Sequence, residues 1–298
     1  MPRLTPSHLT PRRLVPAMLA AAIAFALPGC NDKSDEPAPA TPPAATTRTL
    51  TVSFTELPTL GANYEYEGWL ITPTGAVSAG RFDMAGGAAS PSSFQVPSTA
   101  ALTATKYVLT IEPQVDADPT PSIVHVLAGS FASGSASLSI TDADALPSFS
   151  SASGSYVLAA PTLPAGSDYT RGVWFLKTAP TAAALVLPVL PAGWTYEGWV
   201  IEASGVKHST GRFRDPAAGD DNNPAGAPSF PGQDLSFSLV GSQIAISVEP
   251  VLDFSPDPFP IIPLMDAAVT ATAEGASQLL ASPTPATPTG MVIIATAG

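Results

Sequence analysis

This chain has little charge, few bases and almost no thiol or imidazole. Charged residues are 12% of its 298 positions against 45% hydrophobic, a balance that fits neither a disordered chain nor a coiled coil. Twelve Lys and Arg face 24 Asp and Glu. Setting aside Arg3, Arg12 and Arg13 near the N-terminus leaves nine bases against the same 24 acids, a net charge near −15. Nucleic acid and anionic lipid both require a basic footprint, so neither is expected as a direct partner. One cysteine and three histidines leave little for catalysis. There is no paired His for a metal, no Gly-x-Ser-x-Gly, no Gly-rich phosphate loop and no nucleophilic Cys. Glu67 and Glu112 qualify for glycoside chemistry by residue type, but nothing in their spacing places them in one cleft. The chain is therefore expected to be no enzyme and to need no cofactor.

What is present begins with a leader. Arg3, Arg12 and Arg13 form a positive n-region, and Leu14 to Leu27 is an apolar run too short to span a bilayer comfortably. It ends in Leu27-Pro28-Gly29-Cys30, at the only cysteine. This resembles a bacterial lipoprotein signal with its lipobox, which implies cleavage before Cys30 and acylation of its sulfur and new amine. Several acyl chains would anchor the protein stably to a membrane. Asn31 after the cysteine, by resemblance to the usual sorting rule, suits the outer membrane. Residues 32–47, rich in Pro, Ala and Thr, read as an extended tether. No other stretch is long and apolar enough for a transmembrane helix.

Beyond the tether the chain writes one pattern twice. Tyr66-Glu67-Gly68-Trp69-Leu70-Ile71 returns as Tyr196-Glu197-Gly198-Trp199-Val200-Ile201, at an offset of 130 that holds from Leu57/Leu187 to Gly75/Gly205. Gly80-Arg81-Phe82 recurs one residue out of step as Gly211-Arg212-Phe213. Ile111-Glu112-Pro113 answers Val248-Glu249-Pro250, and Tyr156-Val157-Leu158-Ala159 answers Val292-Ile293-Ile294-Ala295. Shared motif order with slippage between motifs indicates a duplicated unit whose loops have drifted.

Each copy reads as short strands between Gly/Pro turns. In the first, Leu50–Phe54, Tyr64–Thr72, Val77–Phe82, Lys106–Glu112, Ile123–Leu127, Ala136–Ile140 and Ser155–Ala159 are expected strands, with Met84–Ser98 a loop. Gly172–Leu176 is one more, before an Ala-rich joint. The second copy has Trp194–Glu202, Lys207–Phe213, Gln243–Glu249, Phe259–Met265 and Met291–Ala295. No helix is expected. The fold class is all-β, two tandem antiparallel β-sandwiches after a signal peptide and tether. The expected divisions are 1–29, 30–47, 48–178 and 179–298.

Tyr-Glu-Gly-Trp-Leu-Ile, then Gly-Arg-Phe, then Ile-Glu-Pro with a Pro-rich turn, resembles the C-terminal, extracytoplasmic domain of anti-sigma-K factors, here present twice. The family's Gly-Gly-Ser after Glu-Pro is replaced by Gln114-Val115-Asp116-Ala117-Asp118, and its sigma-binding region and transmembrane helix are absent. The resemblance thus implies a sandwich outside the cytoplasm and no direct sigma-factor contact.

Candidate sites follow from the repeated motifs. On alternating strands Tyr64, Tyr66, Gly68 and Leu70 share one face, and Glu67, Trp69 and Ile71 the other. A turn at Thr74-Gly75 would set Gly68 opposite Arg81, placing the guanidinium beside Tyr66, with Gly198 and Arg212 alike. Arg81 and Arg212 are read as structural clamps, onto Glu112 or Glu249, with an anion pocket involving Glu67 and Glu197 as the alternative. Trp69 and Trp199 are read as core residues, with a glycan platform as the alternative. Asp215, Asp220 and Asp221, with Asn222, Asn223 and Asp234, form the densest oxygen cluster; they match no defined calcium loop and are read as a solvated acidic loop. His125 lies in an expected strand, and His208 answers Ser78 of the first copy. The function expected is a non-catalytic envelope lipoprotein acting as a binding or sensory module toward a protein or envelope polymer. The alternatives are a spacer without a ligand and a carbohydrate-active surface protein.

Overall fold

Alternation along the first strand puts Leu50, Val52 and Phe54 into the core and leaves Thr51, Ser53 and Thr55 exposed. The structure, a computed structural model, describes residues 46–252, 255–283 and 287–295. The leader, Cys30 and the tether up to residue 45 lie outside the described residues. In the first copy the strands are β1 (Thr47–Thr55), β2 (Tyr64–Thr72), β3 (Gly75–Ala85), β4 (Ala88–Ser90), β5 (Ser93–Pro97), β6 (Lys106–Pro113), β7 (His125–Ser130), β8 (Ser135–Ser139) and β9 (Gly154–Leu158). The rest of the chain, from the last strand expected in the first copy onward, contributes β10 (Gly172–Trp174), β11 (Leu176–Thr178), β12 (Thr181–Ala183), β13 (Trp194–Ile201), β14 (Lys207–Phe213), β15 (Gly232–Asp234), β16 (Gln243–Pro250), β17 (Leu264–Asp266), β18 (Ser277–Leu280) and β19 (Thr289–Ile294). β10 and β11 lie before residue 179 but are built into the second half. The chain is all-β and antiparallel, as its Gly/Pro punctuation indicates. Several details depart from the sequence reading: the strand expected over Phe259–Met265 is confined to β17, and β12, β15 and β18 are not among the expected strands. Met84–Ser98 is not a plain loop but holds β4 and β5, and Ser98–Thr103 forms a short helix, α1.

Nine strands form one sheet in the order β4-β3-β2-β6-β7-β8-β19-β1-β5. Its two edge strands are joined in sequence by only Pro91 and Ser92, so the sheet curls on itself. Phe54 and Phe82, from β1 and β3, meet across the interior with ring centroids 5.2 Å apart. The second half is built from two four-stranded sheets, β14-β13-β16-β17 and β15-β10-β9-β18, and a two-stranded one, β11-β12; the larger two are linked by a bridge from Met265 to Ala281. Each half thus has hydrophobic inner faces opposed across a core in sandwich fashion.

The strand pairing does not respect a cut between residues 178 and 179. β9 pairs with β18 and β10, and β10 with β15, so the end of the first copy sits in the sheet of the second. β19, the end of the second copy, lies between β1 and β8 of the first. The sheets thus run across the expected boundary at 178/179, with β9 in the sheet of the second half and β19 in the sheet of the first. The physical reason is that Tyr156-Val157-Leu158 and Val292-Ile293-Ile294 are both continuous apolar runs in the sequence, and such a run alone does not say that β9 will be buried on both faces or that β19 will bury only Val292 and Ile294. One hydrophobic cluster accordingly runs from Leu50 through Trp194 to Ile294, and residues 45–298 form one compact unit.

The repeated motifs each have a packing role. Tyr66 Oη donates to Pro58 O at 2.9 Å, and Tyr196 Oη to Pro188 O at 2.6 Å, tying each Leu-Pro segment to its central strand. Phe82 and Phe213 of the Gly-Arg-Phe motifs stack on those tyrosines, both at 5.6 Å. Gly68 makes room not for a guanidinium but for Tyr107, since a Cβ there would lie 1.7 Å from the Tyr107 hydroxyl.

Candidate functional site

The turn after β2 is Pro73-Thr74, closed by the pair Thr72/Gly75, rather than Thr74-Gly75. A bulge then shifts the register between Gly68 and Trp69, so that Gly68 faces Gly80 and Glu67 faces Arg81. Gly80 (φ 119°) and Gly211 (φ 112°) take the backbone conformation the bulge requires. The net one-residue difference moves Arg81 from the expected Tyr66 face to the Glu67 face. Copy two does the same, with Glu197 opposite Arg212. The clamp therefore closes on Glu67 and Glu197, not on Glu112 or Glu249.

In the first copy Arg81 Nε lies 2.7 Å from Glu65 Oε1 and 3.5 Å from Glu67 Oε2, while its Nη2 donates to Pro113 O. Ser78 donates to Glu67. Beside this pair runs a buried relay. Trp69 Nε1 donates to Thr110 Oγ1 at 2.9 Å, Thr110 donates to Glu112 Oε1, and the Ser122 amide donates to that same oxygen at 2.8 Å. The second copy repeats the array with Ser for Thr. Arg212 Nε donates to Glu197 Oε2 at 2.8 Å and Ser209 to Oε1. Trp199 Nε1 donates to Ser247 Oγ at 2.8 Å, Ser247 to Glu249, and the Phe259 amide to Glu249 at 2.8 Å.

The four glutamates Glu67, Glu112, Glu197 and Glu249 are 6%, 1%, 4% and 0% exposed, and Trp69 and Trp199 are 2% each. That burial decides the glycan-platform reading against the tryptophans, whose rings are core. Burial raises the Glu67 carboxyl above its ordinary range, outweighing the lowering by Ser78 and Arg81, and the charges of Glu112 and Asp116 add to the rise. Glu67 and Glu197 are held by donors from their own hairpins, and Glu112 and Glu249 by a strand hydroxyl and the amide of the following loop, an arrangement that ties the Glu-Pro turn to its sheet. Sequence reading missed Thr110, Ser247, Ser78 and Ser209, although the signal was present. Thr-x-Glu-Pro answers Ser-x-Glu-Pro, and Ser-x-Gly-Arg-Phe stands in both copies.

The acidic loop is used for turns. Asp215 accepts from Ala217 N, Asp220 from Asn222 N and Gly232 N, and Asp221 from Arg212 N. Asp234 binds Thr162 and Trp174 Nε1. Among the described residues no group of three His, Cys, Asp or Glu is disposed to hold a metal ion. His125 Nδ1 meets Asp144 O, and His208 Nε2 meets Glu202 Oε1, both at 2.6 Å. His208 corresponds in register to Val77, not Ser78, whose counterpart is Ser209.

A recess of about 190 Å³ opens where the copies meet, lined by Leu60, Tyr64 and Ile111 from the first and Leu252, Phe259 and several prolines from the second. It marks a break in the internal symmetry. Trp194, the counterpart of Tyr64, is fully buried, donates to His125 O at 3.1 Å and meets Phe259 edge-on at 5.6 Å. Gly193 beside it lies so close to Ile123 that a Cβ would be 2.3 Å from the carbonyl oxygen. Trp194 of the second copy is thus packed into its junction, whereas Tyr64 of the first lines the recess among the described residues. No local pattern marks these residues, because the recess belongs to neither copy alone. Compared with models of protein families, with curated proteins and with solved structures, the chain matches none.

Proposed function

We propose that this chain is a non-catalytic binding module of the cell envelope, anchored through an acylated Cys30, outer membrane rather than inner. It contacts a protein or envelope polymer at the recess between its repeats. The observation that carries the reading is that recess: apolar walls with two aromatic rings, formed jointly by both repeats. The carboxylates, arginines and tryptophans of the repeated motifs are meanwhile engaged within the sheets. The lipobox-like leader supports the anchor. The resemblance to the extracytoplasmic domain of anti-sigma-K factors supports a place outside the cytoplasm, with no sigma factor as direct partner.

Two experiments test it. Cys30→Ala should move the protein from the membrane fraction to the soluble fraction; retention at the wild-type level refutes the anchor. Immobilised protein beginning at Thr47 should retain from envelope extract a component that the Leu252→Asp variant, folded to the same melting temperature, does not. Leu252 is more than one-third exposed, so its replacement leaves the core intact. Equal retention by both proteins removes the recess from the function and leaves the spacer reading.

A further inference from the structure

The two halves share one strand order when read from their first hairpins: β3-β2-β6-β7-β8-β19-β1-β5 and β14-β13-β16-β17, then β18-β9-β10-β15. β19 and β9 hold the corresponding place, and each belongs in sequence to the other repeat. We infer that the slot between β1 and β8 is a strand-acceptor site, and that its partner is β19 of a second copy of this chain, the two molecules exchanging these strands reciprocally.

The fit is specific to this strand. β19 pairs with β1 from Leu50/Ile294 to Thr55/Thr289, and with β8 from Ser135/Ile293 to Ser139/Thr289. Val292 and Ile294 are buried in the curled sheet. Gly290 lies against Phe54, where a Cβ would be 2.6 Å from the ring. Withdrawing β19 would expose the edges of β1 and β8 together with the core between them, a template that the same strand from another molecule satisfies completely. An exchanged dimer therefore needs no new contact; only the route of the connection changes. That connection already crosses from one sheet to another, leaving β18 at Leu280 and entering β19 at Thr289. Residues 281–288 read Ala-Ser-Pro-Thr-Pro-Ala-Thr-Pro, and three prolines oppose the tight reversal that would favour a strand of the same sheet. Internally the molecule has made this exchange once, between its two repeats.

The test uses full chains carrying Cys30→Ala, so that introduced cysteines are the only thiols. Ser53 and Met291 are exposed register partners on β1 and β19. Ser53→Cys and Met291→Cys chains are mixed at high concentration, held at a temperature just below melting, cooled and oxidised. Exchange predicts a disulfide heterodimer in the mixture, increasing with concentration and absent when either variant is treated alone. The chain bearing both cysteines, oxidised while dilute, should close within one molecule, which verifies the geometry. If the double variant closes but the mixture yields no heterodimer, exchange between copies is refuted. Crosslinking of each single variant to itself indicates face-to-face association without exchange and refutes it equally. Light scattering on the Cys30→Ala chain alone gives an independent reading: exchange predicts a dimer fraction that persists on dilution, and a monomer at every concentration overturns the inference.

Discussion

Arg81→Ala tests whether the repeated Gly-Arg-Phe motif is a structural clamp. Arg81 is the cation that faces Glu65 and Glu67, at 2.7 and 3.5 Å, and its side chain is 27% exposed against 16% and 8% for theirs. Removing it leaves two neighbouring carboxylates without their cation, one of them buried. Breaking a fully buried pair costs about 3–5 kcal/mol, whereas exposed pairs contribute about 0–1 kcal/mol. Partial exposure of Arg81 places the expected loss at about 2–4 kcal/mol. For a cooperative unit of this size that lowers Tm by roughly 5–12 °C. Arg212→Ala should cost less, because position 195 holds Thr where position 65 holds Glu, so among the described residues one carboxylate, Glu197, loses its cation rather than two. The pH dependence separates lost charge pairing from lost packing. Glu67 already has a raised pKa in the folded protein. Below the ordinary carboxylate value both folded and unfolded states are protonated there. As pH rises, the unfolded state releases its proton first, so this group's stability contribution falls across the window up to the raised value. Removing Arg81 raises that pKa further, so the deficit of the variant should be larger at pH 7 than at pH 4. Thermal melts by circular dichroism at the two pH values measure it. Unchanged melting in both arginine variants, or a deficit independent of pH, would refute the clamp.

Three more outcomes follow from the packing. Thr110→Val should destabilise by about 2–4 kcal/mol in denaturant titrations, because the Trp69 indole N–H and the Glu112 carboxylate each lose a buried partner; a loss below about 0.5 kcal/mol would show the relay to be dispensable. Gly68→Ala forces a Cβ into the Tyr107 hydroxyl and should cost about 1–3 kcal/mol, partly restored by adding Tyr107→Phe; neutral behaviour would mean that the hairpin shifts freely. Fragments 47–178 and 179–298 should each lack a cooperative melt when separate and regain one when mixed, because β9, β10 and β19 cross that cut; a cooperative melt from either fragment alone would contradict the exchange.

The strand composition, the duplication and the burial of Trp69 and Trp199 were legible in the sequence because each depends on local alternation and turn chemistry. Leu50, Val52 and Phe54 alternate with Thr and Ser, and the two Tyr-Glu-Gly-Trp strands stand at a constant offset. Even the polar relay was written there, as Thr-x-Glu-Pro and Ser-x-Glu-Pro. The face of Arg81 was not legible, because it turns on a single bulge residue, and in a structure of period two one residue inverts the side chain. The recess at Tyr64 depends on how the two copies meet, bringing residues nearly 200 positions apart, such as Tyr64 and Phe259, into the lining of one recess. The exchange of β9 and β19 lay equally beyond local reading. Both strands are continuous apolar runs in the sequence, yet β9 is buried on both faces and β19 on one, and that difference is decided by the core that closes around each.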